Sequence, residues 1–177
     1  MKKKSMMAVT LIQPWAWAIA HAGKRLENRS WQTHVWPDRL AIHAGGKLDK
    51  GGVLMLRKAG IDAPLPIVRS AVVAVARVDG VIHAEPDVDD EQRFWWRGPL
   101  AWRLADVVPL RKPIPCSGAQ GLWQLPTTVE REVEHQVAEL MYETPVCAVC
   151  GGEGECAIAG QLCGRDCCSG RYRWLAG

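Results

Sequence analysis

Several features are scarce in this sequence of 177 residues. Two tyrosines and one phenylalanine stand against nine tryptophans, so indole rings supply most of the aromatic surface. Charge of one sign is not in large excess, because the formal net charge is +3, which permits a nucleic-acid partner without arguing for one. Beyond the first 22 residues, no apolar run approaches the ~18 residues that a membrane helix requires. The hydrophobic content of 48% is ordinary for a folded protein, and the length suits one domain with a small appendage.

The N-terminal residues imitate a secretory signal peptide. Three lysines at positions 2–4 precede a largely apolar stretch that reaches Ala22. Gln13 and Pro14 interrupt this stretch, and its removal would delete part of the motif described next. We therefore expect the protein to be cytoplasmic.

The segment from residue 13 to residue 31 is the most informative part of the chain. Pro14 suits the first position of a short apolar helix, and Gly23 suits its C-terminal end. A strand is predicted to follow, and its residues of one parity are Arg25, Glu27, Arg29 and Trp31. Such a face is poor core material, whereas arginine binds phosphate and tryptophan stacks on bases. The alternative from the spacing alone is an exposed face with internal ion pairs.

The rest of the chain predicts a mixture of strands and helices. Strands are expected at 40–44, at 70–79, where both parities are apolar, and at 100–104, where apolar residues alternate. A turn is expected at Asp79-Gly80, and a proline-spaced surface loop at 109–115. Further expected elements are a helix around 53–59 that ends at Gly60 and a helix that begins with the capping pattern Thr127 to Glu130. The composition becomes rich in glycine and cysteine near residue 144, which predicts a domain over 1–144 and a separate tail over 145–177.

Several of these motifs, in this order, resemble the ASCH family, a relative of the PUA RNA-binding fold. The resemblance covers about residues 8–126 and rests on the segment at 13–31, the strands at 40–44 and 70–79, and a closing hairpin formed by 98–104 with 113–123. It implies an α+β fold, a PUA-like mixed β-barrel with flanking helices and a packed C-terminal helix. It also implies a cleft that accommodates RNA or a nucleobase-like ligand.

On this resemblance the protein is expected to be a binding module for RNA, or for a modified nucleobase. The residues expected to form the ligand-binding cleft are Lys24, Arg25, Glu27, Arg29, Trp31, Trp15, His43 and Ser117. Several of them have simpler alternatives, and for Arg25 or Arg29 the alternative is an ion pair with Glu27 or Asp38. Lys24 could neutralise carbonyl groups at a helix end, His43 could be a core histidine, and Ser117 could precede an ordinary turn glycine.

An enzymatic function is the alternative to binding. Some small relatives resemble amidohydrolases that act on acylated cytidine with a lysine, a threonine three residues later and a distant glutamate. Lys24 matches that lysine, but Glu27 occupies the threonine position, so the hydroxyl nucleophile is missing. A metal-independent ribonuclease would need only a base, a cation and a positioned 2′-hydroxyl, which Lys24, Glu27 and Arg29 could serve. We therefore expect binding rather than turnover.

The tail carries the spacing of a zinc site. Cys147 and Cys150 form a C-x-x-C pair, and thiolates further along could complete a tetrahedral site that would fold a segment with few apolar residues. The candidate zinc ligands are Cys147, Cys150, Cys163, and Cys167 or Cys168, which leaves Cys156 free. Disulfides are the competing interpretation in a secreted protein. A zinc-bound tail that docks a protein partner is a third possible role.

Overall fold

The computed structural model describes residues 5–31 and 37–143. The chain divides into two compact units, Met1–Val133 and Glu134–Gly177. The domain boundary predicted near residue 144 stays a prediction, because the tail lies outside the described residues. The strands are β1 (Met7–Gln13), β2 (Leu26–Arg29), β3 (Leu40–Leu48), β4 (Ala71–Ile82), β5 (Leu100–Pro115) and β6 (Leu122–Gln124). The helices are α1 (Trp15–His21), α2 (Lys50–Lys58), α3 (Asp90–Arg93) and α4 (Thr127–Glu143), and a 3₁₀ turn covers Glu85–Asp87.

The strands form one mixed sheet in the order β2-β5-β4-β3-β1-β6. Only β1 and β3 run parallel, and every other neighbouring pair is antiparallel. The central position of β3 and β4 follows from their sequences, because both are apolar on both faces and almost every residue of 40–44 and 71–76 is buried. The strands predicted at these places are confirmed, and both extend further than predicted.

Two expectations about the sheet are wrong in detail. The sheet is open rather than a closed barrel, since among the described residues no ladder joins the edge strands β2 and β6. The predicted hairpin and proline loop are also absent, because β5 continues to Pro115 and pairs with β4 at Pro109 and Pro115, with a register shift between them that includes Pro113. Past Arg103, β5 has no second strand partner in this part of the chain, and an edge position tolerates residues that lack an N–H.

The turn predicted at Asp79-Gly80 is a bulge instead. Strand β4 continues to Ile82, and its register with β5 shifts between Val78 and Gly80. Glycine inside a strand is typical of such a bulge. The bulge lets β4 bend while it remains paired with the segment of β5 that also pairs with β2.

The helix boundaries agree closely with the predictions. Gly23 and Gly60 follow α1 and α2 with φ of +70° and +76°, the left-handed conformation that favours glycine at a helix end. Pro14 lies one position before α1 and accepts a hydrogen bond from the Ala18 N–H at 2.8 Å. Helix α4 begins at Thr127 as predicted.

Two clusters of buried side chains within the described residues hold these elements together. The larger one joins the inner face of the sheet to one face of α1 through residues such as Ile19, Ile42 and Trp102. The smaller one brings together the other face of α1, β2, α2 and the loop before β5, and its members are Ala18, Leu26, Leu56, Ile82, Val88, Trp95 and Ala101. This second cluster positions the site, because each of these elements contributes residues to the cavity described next.

Candidate functional site

A cavity of about 670 Å³ opens between β1, β2, the start of α2 and the loop before β5. This volume is within the range of about 300–1,000 Å³ that is typical of small-molecule sites. Its lining residues are Thr10, Leu11, Ile12, Trp15, Lys24, Glu27, Asn28, Arg29, Asp49, Gly51, Gly52, Met55, Trp95 and Arg97. The cavity thus combines aromatic side chains with charges of both signs.

A line of three charged side chains is built into the cavity wall. Glu27 lies between two cations, with Oε2 at 3.1 Å from Lys24 Nζ and Oε1 at 3.2 Å from Arg29 Nη2. The side chains of Lys24 and Glu27 are only 3% and 9% exposed. A buried carboxylate held at both oxygens has little freedom to move, so its unused lone pairs point in fixed directions.

Lys24 reaches this position because of the glycine before it. The left-handed turn at Gly23 lets the Lys24 N–H bond the Ala18 carbonyl oxygen at 3.1 Å, so the chain leaves α1 and enters β2 at once. The ammonium group donates to the Leu26 carbonyl oxygen and to Glu27. Burial lowers the pKa of Lys24, and the negative charge of Glu27 opposes that shift.

Arg25 contacts carbonyl groups at the end of α1. From the sequence, this role was the alternative for Lys24. Its Nη1 donates to the Ile19 carbonyl oxygen at 2.9 Å and to the Lys24 carbonyl oxygen at 3.1 Å. Arg25 precedes β2, which begins at Leu26, and is not among the residues that line the cavity. Four of the predicted cleft residues therefore come together here, namely Trp15, Lys24, Glu27 and Arg29.

Arg29 is held against two indole rings. Its guanidinium carbon lies 5.8 Å from the ring centre of Trp31 and 5.5 Å from that of Trp102, and the two rings contact each other edge to face. Nε and Nη2 of Arg29 are buried without a hydrogen-bond partner, although Nη2 lies at ion-pair distance from Glu27. Trp31 therefore supports a cavity residue while it lies outside the lining.

The opposite wall consists of residues that sequence reasoning missed. Asp49 caps α2 by accepting from the Gly52 N–H at 2.9 Å, and its other carboxylate oxygen lies 3.3 Å from Trp15 Nε1. A Cβ at Gly52 would lie 2.6 Å from Trp15 Cζ2, so only glycine permits this packing. The signal available in the sequence was the Asp-x-x-Gly spacing of a helix cap.

Asn28 fixes the loop that completes the cavity. Its side-chain amide donates to the Trp95 carbonyl oxygen at 2.9 Å and accepts from the Arg97 N–H at 2.8 Å. Arg97 in turn donates to the Phe94 and Trp96 carbonyl oxygens. No local pattern relates residue 28 to residues 95–97, so this contact has no signal in the sequence.

His43 and Ser117 lie away from this cavity. His43 is buried, its Nε2 lies 3.1 Å from the Cys116 carbonyl oxygen, and its ring contacts Trp123 edge to face. Burial lowers the pKa of His43. Gly118 lies against this ring, since a Cβ there would be 2.4 Å from His43 Cε1. Ser117 is exposed. Of the two alternatives for His43, this environment is that of a core histidine.

Neither a metal cluster nor a membrane-spanning helix is found in the described part of the chain. Across residues 5–31 and 37–143, no three His, Cys, Asp or Glu side chains are arranged to hold a metal ion. The predicted zinc ligands Cys147, Cys150, Cys163, Cys167 and Cys168 lie outside the described residues. No described helix has the length and apolar character needed to cross a membrane.

Comparison with known proteins gives structural similarity only. No family model and no curated protein matches the sequence. The chain is similar to a crystal structure of ASCH from Zymomonas mobilis, at 16% identity and a TM-score of 0.44, over 78% of this chain and 96% of that one. Two mutants of the same protein match at 16% and 15% identity, with TM-scores of 0.43 and 0.41 and coverage of 79% and 80% of this chain against 99% and 100% of theirs. These solved structures are ASCH proteins, the family that the sequence motifs resemble.

Proposed function

We propose that this protein binds single-stranded RNA, or a nucleobase-like ligand, by holding one base in the cavity. The observation that carries the proposal is the Lys24–Glu27–Arg29 cluster, a buried carboxylate fixed by two cations in the wall of an open cavity. RNA-binding proteins commonly read unstacked bases through hydrogen bonds to their edges and stacking on aromatic rings. A fixed carboxylate next to indole rings provides both kinds of contact.

Glu27 supplies the recognition group. Lys24 and Arg29 occupy one direction at each carboxylate oxygen, and a carboxylate has about four acceptor positions in total. The remaining positions accept hydrogen bonds from an exocyclic amine or a ring N–H, groups that phosphates do not have. Glu27 therefore distinguishes a base from the backbone.

Trp15 supplies the stacking surface. Its indole lines the cavity, is half-buried, and is held in place by Asp49 and by the close approach of Gly52. Stacking of a base on an aromatic ring contributes about 1–3 kcal/mol per base. Because the ring is already immobilised, little side-chain entropy is lost when a base stacks on it.

Exposed cations beside the cavity supply phosphate contacts. Arg97 lines the cavity and is exposed, and Lys50 lies between the lining residues Asp49 and Gly51. We expect Arg97→Glu to weaken binding of a labelled single-stranded RNA and to lower the salt dependence by about one unit of slope. Lys58→Glu, an equal charge change at the far end of α2, is the matched control. If the two variants lose affinity equally, the binding surface does not include the cavity.

Turnover is the second candidate, favoured by one observation. Burial lowers the pKa of Lys24, so this lysine gives up its proton more easily than an exposed one and can exchange protons with a ligand beside Glu27. The test is incubation of wild type and Glu27→Gln with labelled RNA and with acylated cytidine. Product formed by the wild type and lost in the variant would establish catalysis and overturn the binding-module proposal.

We also propose a structural zinc ion for the tail. Its support is the sequence spacing alone: Cys147, Cys150 and Cys163 with Cys167 or Cys168 supply four thiolates, the ligand set of closed structural zinc sites. Docking of a protein partner by the tail stays a prediction.

A further inference from the structure

The acceptor positions of Glu27 discriminate among bases. Each of its oxygens is contacted by one cation, which leaves two neighbouring acceptors on a carboxylate that is 9% exposed. A ligand edge that matches these acceptors needs two adjacent N–H groups. Any lone-pair atom of the ligand at either position would be repelled.

Among the four RNA bases, guanine alone has two adjacent donors, its N1–H and its 2-amino group. Adenine and cytosine each have one amino group beside a ring nitrogen that accepts. Uracil has one N–H between two carbonyl oxygens. A carboxylate therefore forms two hydrogen bonds with guanine and only one with each other base.

Donors next to Glu27 match the remaining group on the same edge of guanine, its O6. The Lys24 ammonium has three protons, of which two are directed at the Leu26 carbonyl oxygen and at Glu27. Arg29 Nε and Nη2 are buried beside the tryptophan rings, which leaves Nη1 as the nitrogen that can face a ligand. The wall thus presents two acceptors with a cationic donor beside them.

The side-chain amide of Asn28, a group that could favour adenine, already forms hydrogen bonds within the protein. Asparagine reads adenine by donating to one ring position while it accepts from the amino group. Asn28 is the asparagine in this cavity, and both ends of its amide are bonded to backbone groups of Trp95 and Arg97. The carboxylate is therefore left as the group that reads the base.

We infer that the base held in the cavity is guanine, bound through its N1–H and 2-amino group by Glu27 and through O6 by Lys24 or Arg29. This inference rests on the proposed function, because it specifies the ligand of the same cavity. A well-formed pair of such contacts discriminates against other bases by at least about fivefold.

The test is titration of the full chain with uridine hexamers that carry one variable base at the fourth position. Guanine should bind at least about fivefold more tightly than adenine, cytosine or uracil. Inosine, which lacks the 2-amino group, and 2-aminopurine, which lacks the N1–H, should each lose affinity relative to guanine. Because this panel uses the wild-type protein, its result does not depend on whether a cavity variant folds.

Two variants and two outcomes complete the design. Glu27→Gln should remove the guanine preference, while Glu85→Gln, an exposed glutamate in the 3₁₀ turn, should keep it. Equal affinity for all hexamers would overturn the guanine inference and leave the proposed function standing. No binding of any hexamer would overturn both the guanine inference and single-stranded RNA as the ligand of the proposed function.

Discussion

Glu27 shows how far individual residues can be read from the sequence. The strand pattern placed Glu27 with Arg29, and the two do share the cavity wall. The pattern did not predict the burial of Glu27, because a charged face on an alternating strand is expected to be exposed. Lys24 and Arg29 allow the burial, since each carboxylate oxygen meets a cation. Such compensation depends on distances in the fold, so it cannot be read from spacing.

The buried ion pair predicts a pH dependence of stability. The folded-state pKa of Lys24 is lowered mainly by burial, so in alkaline solution the unfolded chain binds more protons than the folded one. The free energy of unfolding contributed by this residue should therefore rise with pH from the lowered pKa up to about 10.4, the value of an exposed lysine. Urea unfolding of wild type and Lys24→Met across this range should show the rise only in the wild type. Parallel curves would contradict the account of Lys24.

Removal of one charge of the Lys24–Glu27 ion pair is expected to lower the stability of the protein strongly. Glu27→Gln leaves Lys24 buried without its counter-charge, which typically costs about 3–5 kcal/mol. Lys24→Met with Glu27→Gln removes both charges and should cost less than Glu27→Gln alone. Urea unfolding of the two variants measures the difference. An equal loss in both would mean that the charges are not coupled.

Gly52 tests whether the wall of the cavity is tightly packed. Gly52→Ala places a Cβ 2.6 Å from the Trp15 ring and 2.9 Å from Asp49 Oδ2, so one of these groups must move, at a cost of about 1–3 kcal/mol. Gly51→Ala is the matched control, because its nearest neighbour would be Asp49 Oδ1 at 3.3 Å and the position is exposed. Thermal unfolding should separate the two variants. If Gly52→Ala is as stable as Gly51→Ala, Trp15 is not fixed as described.

At the scale of elements, the sequence predicted buried strands better than strand segments that pair on one side only. The strands at 40–44 and 70–79 were predictable, because continuous apolar residues have a local signature. The part of β5 beyond the predicted strand at 100–104 was not, because its prolines are typical of loops and its one-sided pairing with β4 allows them. The far wall of the cavity was also unpredictable, since Asp49 and Arg97 reach it from elements distant in sequence.

The loop before β6 depends on a close contact with the sheet. Gly118→Ala would bring a Cβ within 2.4 Å of His43 Cε1 and 2.7 Å of Thr10 Oγ1, so we expect a loss of stability of about 1–3 kcal/mol. His43→Ala creates space at that position, so the double variant should lose less than the sum of the two single changes. Thermal unfolding of the three proteins measures this coupling. Strict additivity would show that Gly118 and His43 do not pack as described.

At the scale of the whole molecule, the tail makes a prediction of its own. Protein purified without added zinc should contain about one equivalent of the metal per chain if four thiolates form the site. Cys147→Ser should abolish the metal content, whereas Cys156→Ser should leave it unchanged. Absence of zinc together with a full set of disulfides would contradict both the zinc proposal and the expected cytoplasmic location.

The central claim is that the cavity holds a base, and indole resonances report on it directly. The nine tryptophans give nine indole N–H signals in a ¹H–¹⁵N NMR spectrum. Each signal is assigned by replacing one tryptophan at a time with phenylalanine. Trp15 and Trp95 line the cavity, whereas Trp17 lies outside its lining and contacts the His21 ring. Titration of the full chain with a uridine hexamer that contains one guanine should shift the Trp15 and Trp95 signals and leave the Trp17 signal in place. Binding that leaves Trp15 and Trp95 unchanged would contradict the account.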